Sequence, residues 1–246
     1  HETVRLLKKG AIIAIKGLGG FHLACDATNT AAVRRLRKRK RRPFKPFAIM
    51  SQDVETICRY AHVSEFEEEI LESPASPIVL LRRKDDGPVS PLVAPCMSEF
   101  GVMLPYTPLH HLIVRDNFLA LVMTSGNITD EPTIASNMTA YEKLAGIADY
   151  FLVHNRDILI QNDDSIVRVI DDHPVVMRRA RGYVPRPLEL GEITDGVPDI
   201  LAVGAEEKGT VCFIKKGRAF LSQHLGDLKN TESVLSFELS LIHISE

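Results

Sequence analysis

The chain has 246 residues, 45% hydrophobic and 25% charged, which is the composition of a globular protein large enough for one domain and part of a second. Its formal net charge of −2 argues against wholesale nucleic-acid binding, because acidic residues balance the basic ones. Four scattered cysteines without a Cys-x-x-Cys pair argue against a local zinc ribbon or a disulfide framework. With no membrane-spanning run and no secretory signal in the sequence, we expect a cytoplasmic protein with reduced thiols.

Strands and helices alternate in the first half of the chain. The hydrophobic pattern predicts helices over residues 2–9 and 28–40, a helix capped by Ser51, an acidic helix with a capping box of Ser64 and Glu67, and strands over 11–15, 46–50 and 76–83. It then predicts strands over 102–104, 119–123 and 150–153, helices over 109–114 and 140–144, and a hairpin of 165–170 with 175–179. This order indicates a mixed α/β sheet rather than a regular doubly wound one.

The composition changes after Pro187. Residues 1–188 read as one domain, the acidic and Gly/Pro-bearing stretch 189–198 as a linker, and 199–238 as the start of a second domain with strands over 200–204, 210–214 and 218–222. The last eight residues, 239–246, resemble the translation of a sequencing adapter, although a natural amphipathic segment has the same pattern. We therefore leave residues 239–246 out of the functional argument.

Two clusters follow the early strands. The first, Lys16-Gly17-Leu18-Gly19-Gly20-Phe21-His22, has glycines that allow a backbone to approach a ligand closely, although such turns are also common as purely structural features. No Gly-Lys-Ser/Thr follows, so this is not a Walker loop. The second cluster places Lys40, Arg42 and Lys45 just before a strand, where cations suit a polyphosphate, although they also suit a solvated helix face.

Two further clusters lie later in the chain. Ser125 and Asn127 follow the strand 119–123 at a position suited to ligand binding, although the same residues are also typical of a simple turn. The acidic residues Asp130 and Glu131 come next and are candidates to hold a metal ion on phosphates. Asp164, Ser165, Arg178 and Arg181 surround the late hairpin, where arginines bind phosphate or form surface ion pairs. The adjacent His110 and His111 lack metal-ligand spacing, so we expect a packing or hydrogen-bonding role for them.

Seven ordered motifs over 16–185 resemble those of the HypF family of hydrogenase-maturation carbamoyltransferases. They are KGLGGFHL, RKRRPFKPFA, LPYTPLHH, TSGNITDEP, HNRDI, DDSIVR and RRARGYVP. The resemblance implies a YrdC-like twisted mixed sheet flanked by helices. Residues 203–228 resemble the first strands of the family's Kae1-like domain, of the actin/Hsp70 ATPase type. Family members also carry an acylphosphatase-like domain and zinc-binding cysteine motifs ahead of the position of Lys16.

The resemblance implies a reaction that uses carbamoyl phosphate, ATP and Mg²⁺. In the family, the acylphosphatase-like domain releases carbamate, the YrdC-like domain joins it to AMP with release of pyrophosphate, and the Kae1-like domain passes the carbamoyl group to the C-terminal cysteine of HypE. Zinc belongs to the upstream modules alone, so no metal ligand is expected here.

The family's site maps onto residues of this chain. By resemblance, Lys40, Arg42 and Lys45 grip the triphosphate as the catalytic cations, and Ser125 and Asn127 orient the nucleotide or carbamate. Arg178 and Arg181 anchor the adenylate phosphate. The remaining residues expected to bind nucleotide or carbamoyl-adenylate are Lys16, Gly19, His22, Asp164 and Ser165.

Two other functions remain open. A threonylcarbamoyl-adenylate synthase for tRNA modification has the same fold and also forms an adenylate, but the LPYTPLHH and Asp130-Glu131-Pro132 segments and the second domain favour HypF. A non-catalytic module that holds a nucleic-acid backbone predicts binding that falls steeply with salt and ignores ATP. The near-neutral net charge and the lack of interleaved aromatic residues in the basic stretch count against it.

Overall fold

A nine-stranded mixed sheet forms the centre of the first part of the chain. The computed structural model describes residues 1–128, 131–191, 198–207, 209–228 and 231–245. The strands run in the order β7-β1-β2-β6-β3-β5-β4-β8-β9, and the pairs β1–β7, β3–β5 and β4–β8 are parallel. Their bounds are β1 Ile13–Lys16, β2 Phe21–Asp26, β3 Ala48–Met50, β4 Ile78–Arg82, β5 Glu99–Met103, β6 Leu121–Ser125, β7 Tyr150–Leu152, β8 Ile166–Ile170 and β9 His173–Arg178.

Six helices pack around this sheet: α1 Glu2–Lys8, α2 Thr30–Arg39, α3 Val54–Ile57, α4 Glu65–Glu72, α5 Pro108–Val114 and α6 Asn137–Leu144. The capping box of Ser64 and Glu67 is present at the start of α4, as predicted. The predicted cap of α3 is wrong: Asp53, not Ser51, accepts a hydrogen bond from the Thr56 backbone N–H. Ser51 is instead fully buried at the end of β3, where its hydroxyl bonds to the Leu119 carbonyl and the Tyr60 hydroxyl.

The strand β2 was missed by the sequence analysis, yet it is central to the site. Its residues follow three glycines and include His22, so the apolar pattern is short and interrupted. Because successive strand side chains point to opposite faces, Phe21, Leu23 and Cys25 join the core that contains α2, whereas Ala24 joins the core that contains α5. His22 therefore belongs to the α5 face of the sheet.

A second, four-stranded antiparallel sheet follows in the order β10-β13-β12-β11, with β10 Leu188–Glu189, β11 Ile200–Val203, β12 Val211–Lys215 and β13 Arg218–Leu221. The predicted three strands of the second domain are present, and β10 adds an edge. Part of the predicted linker, 192–197, lies outside the described residues. The helix α7, Thr231–Ser245, continues through 239–245, and the adapter origin of that segment stays a prediction.

All four cysteines are free thiols, and burial raises the pKa of Cys25 to about 12. Within the described part of the chain, no helix is long and apolar enough to cross a membrane.

Candidate functional site

The basic loop between α2 and β3 is held in place by Arg37, which the sequence analysis did not single out. This side chain is only 7% exposed. Its guanidinium donates to the carbonyls of Arg42, Pro43 and Lys45 in the loop, and to those of Leu92 and Val93 on the neighbouring segment. It also lies 4.4 Å from the ring centroid of Phe47. Arg37 therefore shapes the loop without presenting its own charge to a ligand.

Lys40 lies at the end of α2 and is 4% exposed. Its Nζ donates to the Ser125 carbonyl at 2.6 Å, to the Asn127 carbonyl at 2.8 Å and to Asn127 Oδ1 at 2.7 Å. Burial, together with the nearby charges of Arg42 and Lys45, lowers the pKa of Lys40 to about 7. An anion that binds next to Lys40 would stabilise its charged form.

Arg42 is directed toward the same strand end. Its Nη1 donates to the Thr124 hydroxyl at 3.3 Å, its Nη2 donates to the Pro46 carbonyl at 2.6 Å, and its Nε donates to the Lys45 carbonyl at 3.2 Å. The Lys45 side chain is exposed, and its charge acts on Lys40. The structure therefore brings together the three cations predicted for the triphosphate.

Ser125 is the last residue of β6, and Asn127 lies two residues beyond it. The Ser125 hydroxyl donates to Asn127 Oδ1 at 2.9 Å, so the amide oxygen accepts from both Ser125 and Lys40. The Asn127 amide nitrogen donates to the Glu131 carbonyl at 2.5 Å. Asp130 lies outside the described residues, and the Glu131 carboxylate pairs with Lys143 at 3.0 Å.

The glycine turn between β1 and β2 packs closely against two other segments. A Cβ at Gly19 would lie 2.3 Å from the Asn162 carbonyl oxygen, and one at Gly20 would lie 2.2 Å from Thr133 Cγ2. Because Gly19 has no side chain, the backbone of the loop before β8 can pack directly against the glycine turn. Lys16, 2% exposed, donates to the His154 carbonyl at 3.3 Å and lines a cavity of about 630 Å³ that also includes Asn137 and Leu235.

Asp164, His22 and Arg181 form a buried ionic network. Asp164 Oδ1 accepts from Arg181 Nε at 2.9 Å, and its Oδ2 lies 3.3 Å from His22 Nε2. Burial by itself would raise the pKa of Asp164, but the hydrogen bonds and charges of His22 and Arg181 hold it well below its usual range. The other nitrogens of Arg181 donate to the carbonyls of Ala75 and Ser76.

Two aromatic rings close this network on the α5 side. The Arg181 guanidinium lies 3.5 Å from the centroid of the Tyr106 ring, which also stands edge-on to His110 at 4.6 Å. His110 is 1% exposed, and neither ring nitrogen has a hydrogen-bond partner within the described residues. Burial lowers the pKa of His110 to about 3, so this ring is neutral.

The residues on either side of Asp164 face different partners. The Ser165 hydroxyl donates to the Arg181 carbonyl and accepts from the Ala180 N–H, both at 2.8 Å, which fixes the backbone. Asp163 accepts from the Thr133 hydroxyl at 2.7 Å, and its other oxygen lies 3.5 Å from His224 Nδ1. Burial would raise the pKa of Asp163, but His224, Arg178 and Thr133 together lower it.

The cationic network of Lys40 and the buried network of Asp164 meet at paired strands. His22 of β2 and Ser125 of β6 are partners in the antiparallel register. The site therefore has a cationic side and, beside it, a buried network in which Asp164 contacts both Arg181 and His22. Among the described residues no group of three or more His, Cys, Asp or Glu side chains could hold a metal ion.

Two family models match the chain. The Sua5/YciO/YrdC model, described as "Telomere recombination", matches residues 5–180, and the HypF Kae1-like domain model matches residues 195–246. Among curated proteins, the carbamoyltransferase HypF of Rhodobacter capsulatus is 51% identical over 90% of this chain and 29% of its own length. The one from Synechocystis is 45% identical over 98% of this chain and 31% of its own length. The chain thus spans about a third of these relatives.

Solved structures agree with this result. The crystal structure of full-length HypF in the phosphate- and nucleotide-bound form is 42% identical, covers 98% of this chain and 38% of its own, and has a TM-score of 0.92. The P. abyssi Sua5 structure with L-threonine is 19% identical, with a TM-score of 0.64 over 80% of this chain and 56% of its own. The latter shows a shared fold alone. The predicted α/β fold, YrdC-like with the start of a Kae1-like domain, is confirmed.

Proposed function

Because the chain belongs to the Sua5/YciO/YrdC family as a HypF-type member, we propose that it forms carbamoyl-adenylate from carbamate and ATP with release of pyrophosphate. We also propose that the carbamate comes from carbamoyl phosphate, and that the product is passed to the C-terminal cysteine of HypE during maturation of [NiFe] hydrogenase. The HypF relatives named above are carbamoyltransferases by name, and the chemistry of this chain's own residues supports the adenylation step.

The observation that carries the proposal is the buried ammonium of Lys40 beside Arg42. A triphosphate has about four negative charges, and a water-excluded cation binds it more strongly than an exposed one. Lys40 joins the basic loop to Ser125 and Asn127, so one side chain connects the expected phosphate site with the expected acid-substrate site. This combination favours a reaction between a phosphate and a second, smaller ligand.

The proposed step needs no protein nucleophile. A carboxylate oxygen of carbamate attacks the α-phosphorus of ATP, a new P–O bond forms, and the bond to the β-phosphate oxygen breaks to release pyrophosphate. Lys40, Arg42 and Lys45 neutralise the charge on the phosphates, and Ser125 and Asn127 orient the reactants. These groups supply positioning and charge, which are the main contributions that phosphoryl and nucleotidyl transfer require of a protein.

Arg178 and Arg181 have different roles in this proposal. Arg181 has its nitrogens directed to Asp164, Ala75 and Ser76, which favours a positioning role over direct contact with phosphate. Arg178 is half-buried and close enough to Asp163 to lower its pKa, so it is the better candidate to contact the adenylate phosphate. Mg²⁺ is proposed to accompany ATP on its phosphates.

ATP–pyrophosphate exchange with magnesium tests the proposal directly. The chain is given bicarbonate plus ammonia as a source of carbamate, or carbamoyl phosphate, or bicarbonate plus threonine. Exchange with carbamate and little with carbamoyl phosphate is expected, because the attacking carboxylate oxygen is free in carbamate and bonded to phosphorus in carbamoyl phosphate. Exchange only with threonine would identify a threonylcarbamoyl-adenylate synthase, a class represented by a Bacillus subtilis relative 22% identical over 72% of this chain.

Binding measured over a series of salt concentrations distinguishes an ATP site from a nucleic-acid-binding module. Nucleotide binding that persists at moderate salt supports an ATP site, whereas oligonucleotide binding that falls steeply with salt and ignores ATP would indicate a nucleic-acid module. A chain with no exchange and no ATP binding would contradict the proposed function.

A further inference from the structure

We propose that the cavity at the start of α6 binds an organic oxyanion, either a phosphate monoester or a carboxylate, at a site separate from the cations around Lys40. Lys16 and the first turn of α6 bind the charged head of this ligand, and an apolar wall contacts the rest of it. This second site goes beyond carbamoyl-adenylate formation and does not depend on it.

The cavity of about 630 Å³ adjoins the loop that begins at Gly126, but it does not include the cationic cluster. The Gly126 carbonyl accepts from the Ile134 N–H at 3.0 Å, which brings the two ends of this loop together. Asn127, near one end, contacts Lys40, whereas Ile134, at the other end, lines the cavity. Neither Lys40 nor Asn127 is among the described residues that line it. The cavity is therefore a second place where a ligand can bind.

The Lys16 side chain lies on the side of the sheet that α6 covers. Side chains alternate along β1, so Lys16 shares a face with Ala14, which packs in the same core as Ala140 of α6. Lys16 Nζ lies 3.3 Å from the His154 carbonyl oxygen, and the Asn137 amide nitrogen lies 3.5 Å from the same oxygen. The ammonium and the first residue of α6 are therefore neighbours, and both residues line the cavity.

This ammonium has spare hydrogen-bonding capacity. It carries three N–H groups, and the bond to the His154 carbonyl is its one hydrogen bond within the described residues. At 3.3 Å this bond is longer than the 2.7–2.9 Å that is usual, as an approximate range, between a charged donor and an anionic acceptor. Because Lys16 is only 2% exposed, an anion that reaches it from the cavity gains a strong interaction.

The helix α6 begins without a cap. Ser136, at the N-cap position, makes no side-chain hydrogen bond to the helix, and the first turn contains no acidic residue. The first N–H groups of a helix have no intrahelical acceptor, and this end of the helix favours negative charge. All four residues in the range 136–139 line the cavity. The first turn of α6 and the Lys16 ammonium can therefore donate to one oxyanion.

The size and the remaining wall of the cavity suit a ligand larger than a bare ion. Its volume lies within the usual range of small-molecule sites. The apolar part of the wall consists of Pro132, Ile134, Met138, Ile158 and Leu235. Asp157 also lines the cavity, but its side chain is exposed, so solvent screens its charge. An oxyanion head with an apolar body matches this combination.

The binding of three small probes to the nitrogen-15-labelled chain tests the proposal by NMR. Phenyl phosphate is expected to shift the amide resonances of Asn137, Met138 and Thr139. It is also expected to bind at least about tenfold more tightly than inorganic phosphate, because its ring contacts the apolar wall. Benzoate distinguishes the two sources of the oxyanion. Tighter binding of benzoate than of phenyl phosphate at these amides supports a carboxylate ligand, and weaker binding supports a phosphate monoester.

Phenyl phosphate that shifts only resonances around Lys40 would overturn the proposal, because the probe would then occupy the expected triphosphate site. Equal affinities for phenyl phosphate and inorganic phosphate would overturn it as well, since the apolar wall would then contribute nothing.

Two substitutions locate the charged head. Ser136→Asp places a carboxylate at the N-cap, where it accepts from the first turn and repels an anion. We expect the affinity for phenyl phosphate to fall at least about tenfold, with a melting temperature that is unchanged or higher. Lys16→Met is expected to lower the affinity at least about tenfold, and the exposed Lys38→Met to leave it within about twofold. Unchanged affinity in Ser136→Asp would refute the site, and this variant decides if Lys16→Met fails to fold.

ATP with Mg²⁺ distinguishes a separate site from an extension of the nucleotide site. We expect ATP to shift resonances around Lys40 and to leave the affinity for phenyl phosphate, measured at the α6 amides, within about twofold. Competition between the two ligands at those amides would assign Lys16 to the nucleotide site and overturn the proposal. A chain that binds phenyl phosphate at α6 but neither binds ATP nor catalyses exchange would contradict the proposed function alone.

Discussion

Asn127 Oδ1 lies 2.7 Å from Lys40 Nζ and 2.9 Å from the Ser125 hydroxyl, so Lys40 just after α2 and Ser125 at the end of β6 donate to the same acceptor. The side chain of Lys40 thereby fixes the loop that follows β6 as well as providing charge. Both roles depend on the ammonium. The exchange rate reports its charge, and the free energy of unfolding reports its contacts with the loop.

Lys40→Met keeps most of the apolar stem and removes the ammonium. We expect the exchange rate to fall by at least about 100-fold, because one preorganised charge is lost from the site. We also expect a loss of about 1–3 kcal/mol in unfolding free energy, since the Ser125 and Asn127 carbonyls lose a donor. The control is Lys38→Met on the exposed side of α2, and similar losses in both variants would contradict a specific role for Lys40.

ATP binding is expected to take up a proton near neutral pH. Burial and the charges of Arg42 and Lys45 lower the pKa of Lys40 to about 7, and bound phosphates would raise it again. Below about pH 6 the group is charged before and after binding, so uptake vanishes there and grows as pH rises through 7. Calorimetry in two buffers of different ionisation enthalpy measures it, and uptake that persists unchanged in Lys40→Met would refute the assignment.

Asp164→Asn is expected to destabilise the protein by about 3–5 kcal/mol at neutral pH, because Arg181 stays buried without its counter-charge. The pKa of Asp164 is lowered in the folded state, so its stabilisation is present above about pH 4 and disappears as pH falls through the lowered value. Urea unfolding from pH 7 to pH 3 should therefore show a smaller pH dependence in the variant. Asp116→Asn, at an exposed position, should leave the profile unchanged.

Arg37→Lys should weaken ATP binding although Arg37 holds backbone rather than ligand. An ammonium cannot reproduce the planar fork that reaches carbonyls on both sides of the basic loop, such as those of Arg42 and Val93. We expect a loss of about 2–4 kcal/mol in unfolding free energy and a Kd for ATP raised at least about tenfold. The exposed Arg34→Lys serves as the control, and a stable Arg37→Lys variant with normal affinity would show that the loop needs no such anchor.

Gly126→Ala places a methyl group 2.7 Å from both Cβ and the carbonyl oxygen of Phe21, so the turn after β6 must move. Ser125 and Asn127 flank this glycine, and we expect exchange activity to fall by at least about tenfold with a clear drop in melting temperature. Gly146→Ala is the matched control, since no atom of the described residues lies within 4 Å of its added methyl group. Equal behaviour of the two alanine variants would contradict the close approach at Gly126.

Local patterns predicted most of the fold correctly. The capping box of Ser64 and Glu67 and the hairpin of β8 and β9 depend on residues that are close in sequence, so their signals are visible in the chain itself. The strand β2 was missed because its glycine-rich start and His22 interrupt the apolar pattern. The register that pairs His22 with Ser125 depends on contacts across the sheet, which no local pattern contains.

Site residues were likewise predictable where a local sequence pattern marks them. Lys40, Arg42, Ser125 and Asn127 were identified by charge, by position at strand ends and by resemblance, and they lie together in the structure. Arg37 was missed because it lies within a run of basic residues. Nothing in the sequence distinguishes a guanidinium that donates to backbone carbonyls from one that faces a ligand. The deep burial of Arg181 was likewise hidden, since its partners, Ala75 and Ser76, are distant in sequence.

Asp163 and Asp164 are consecutive, yet one approaches His224 of the segment after β13 and the other approaches His22 within the first sheet. Gln223 adds a hydrogen bond to the Gln161 carbonyl at 2.6 Å, just before the two acids. An engineer who shortens the chain to the first sheet would therefore delete two side chains that hold the loop bearing Asp164. A shortened chain needs replacement contacts at Gln161 and Asp163, designed together with the cut.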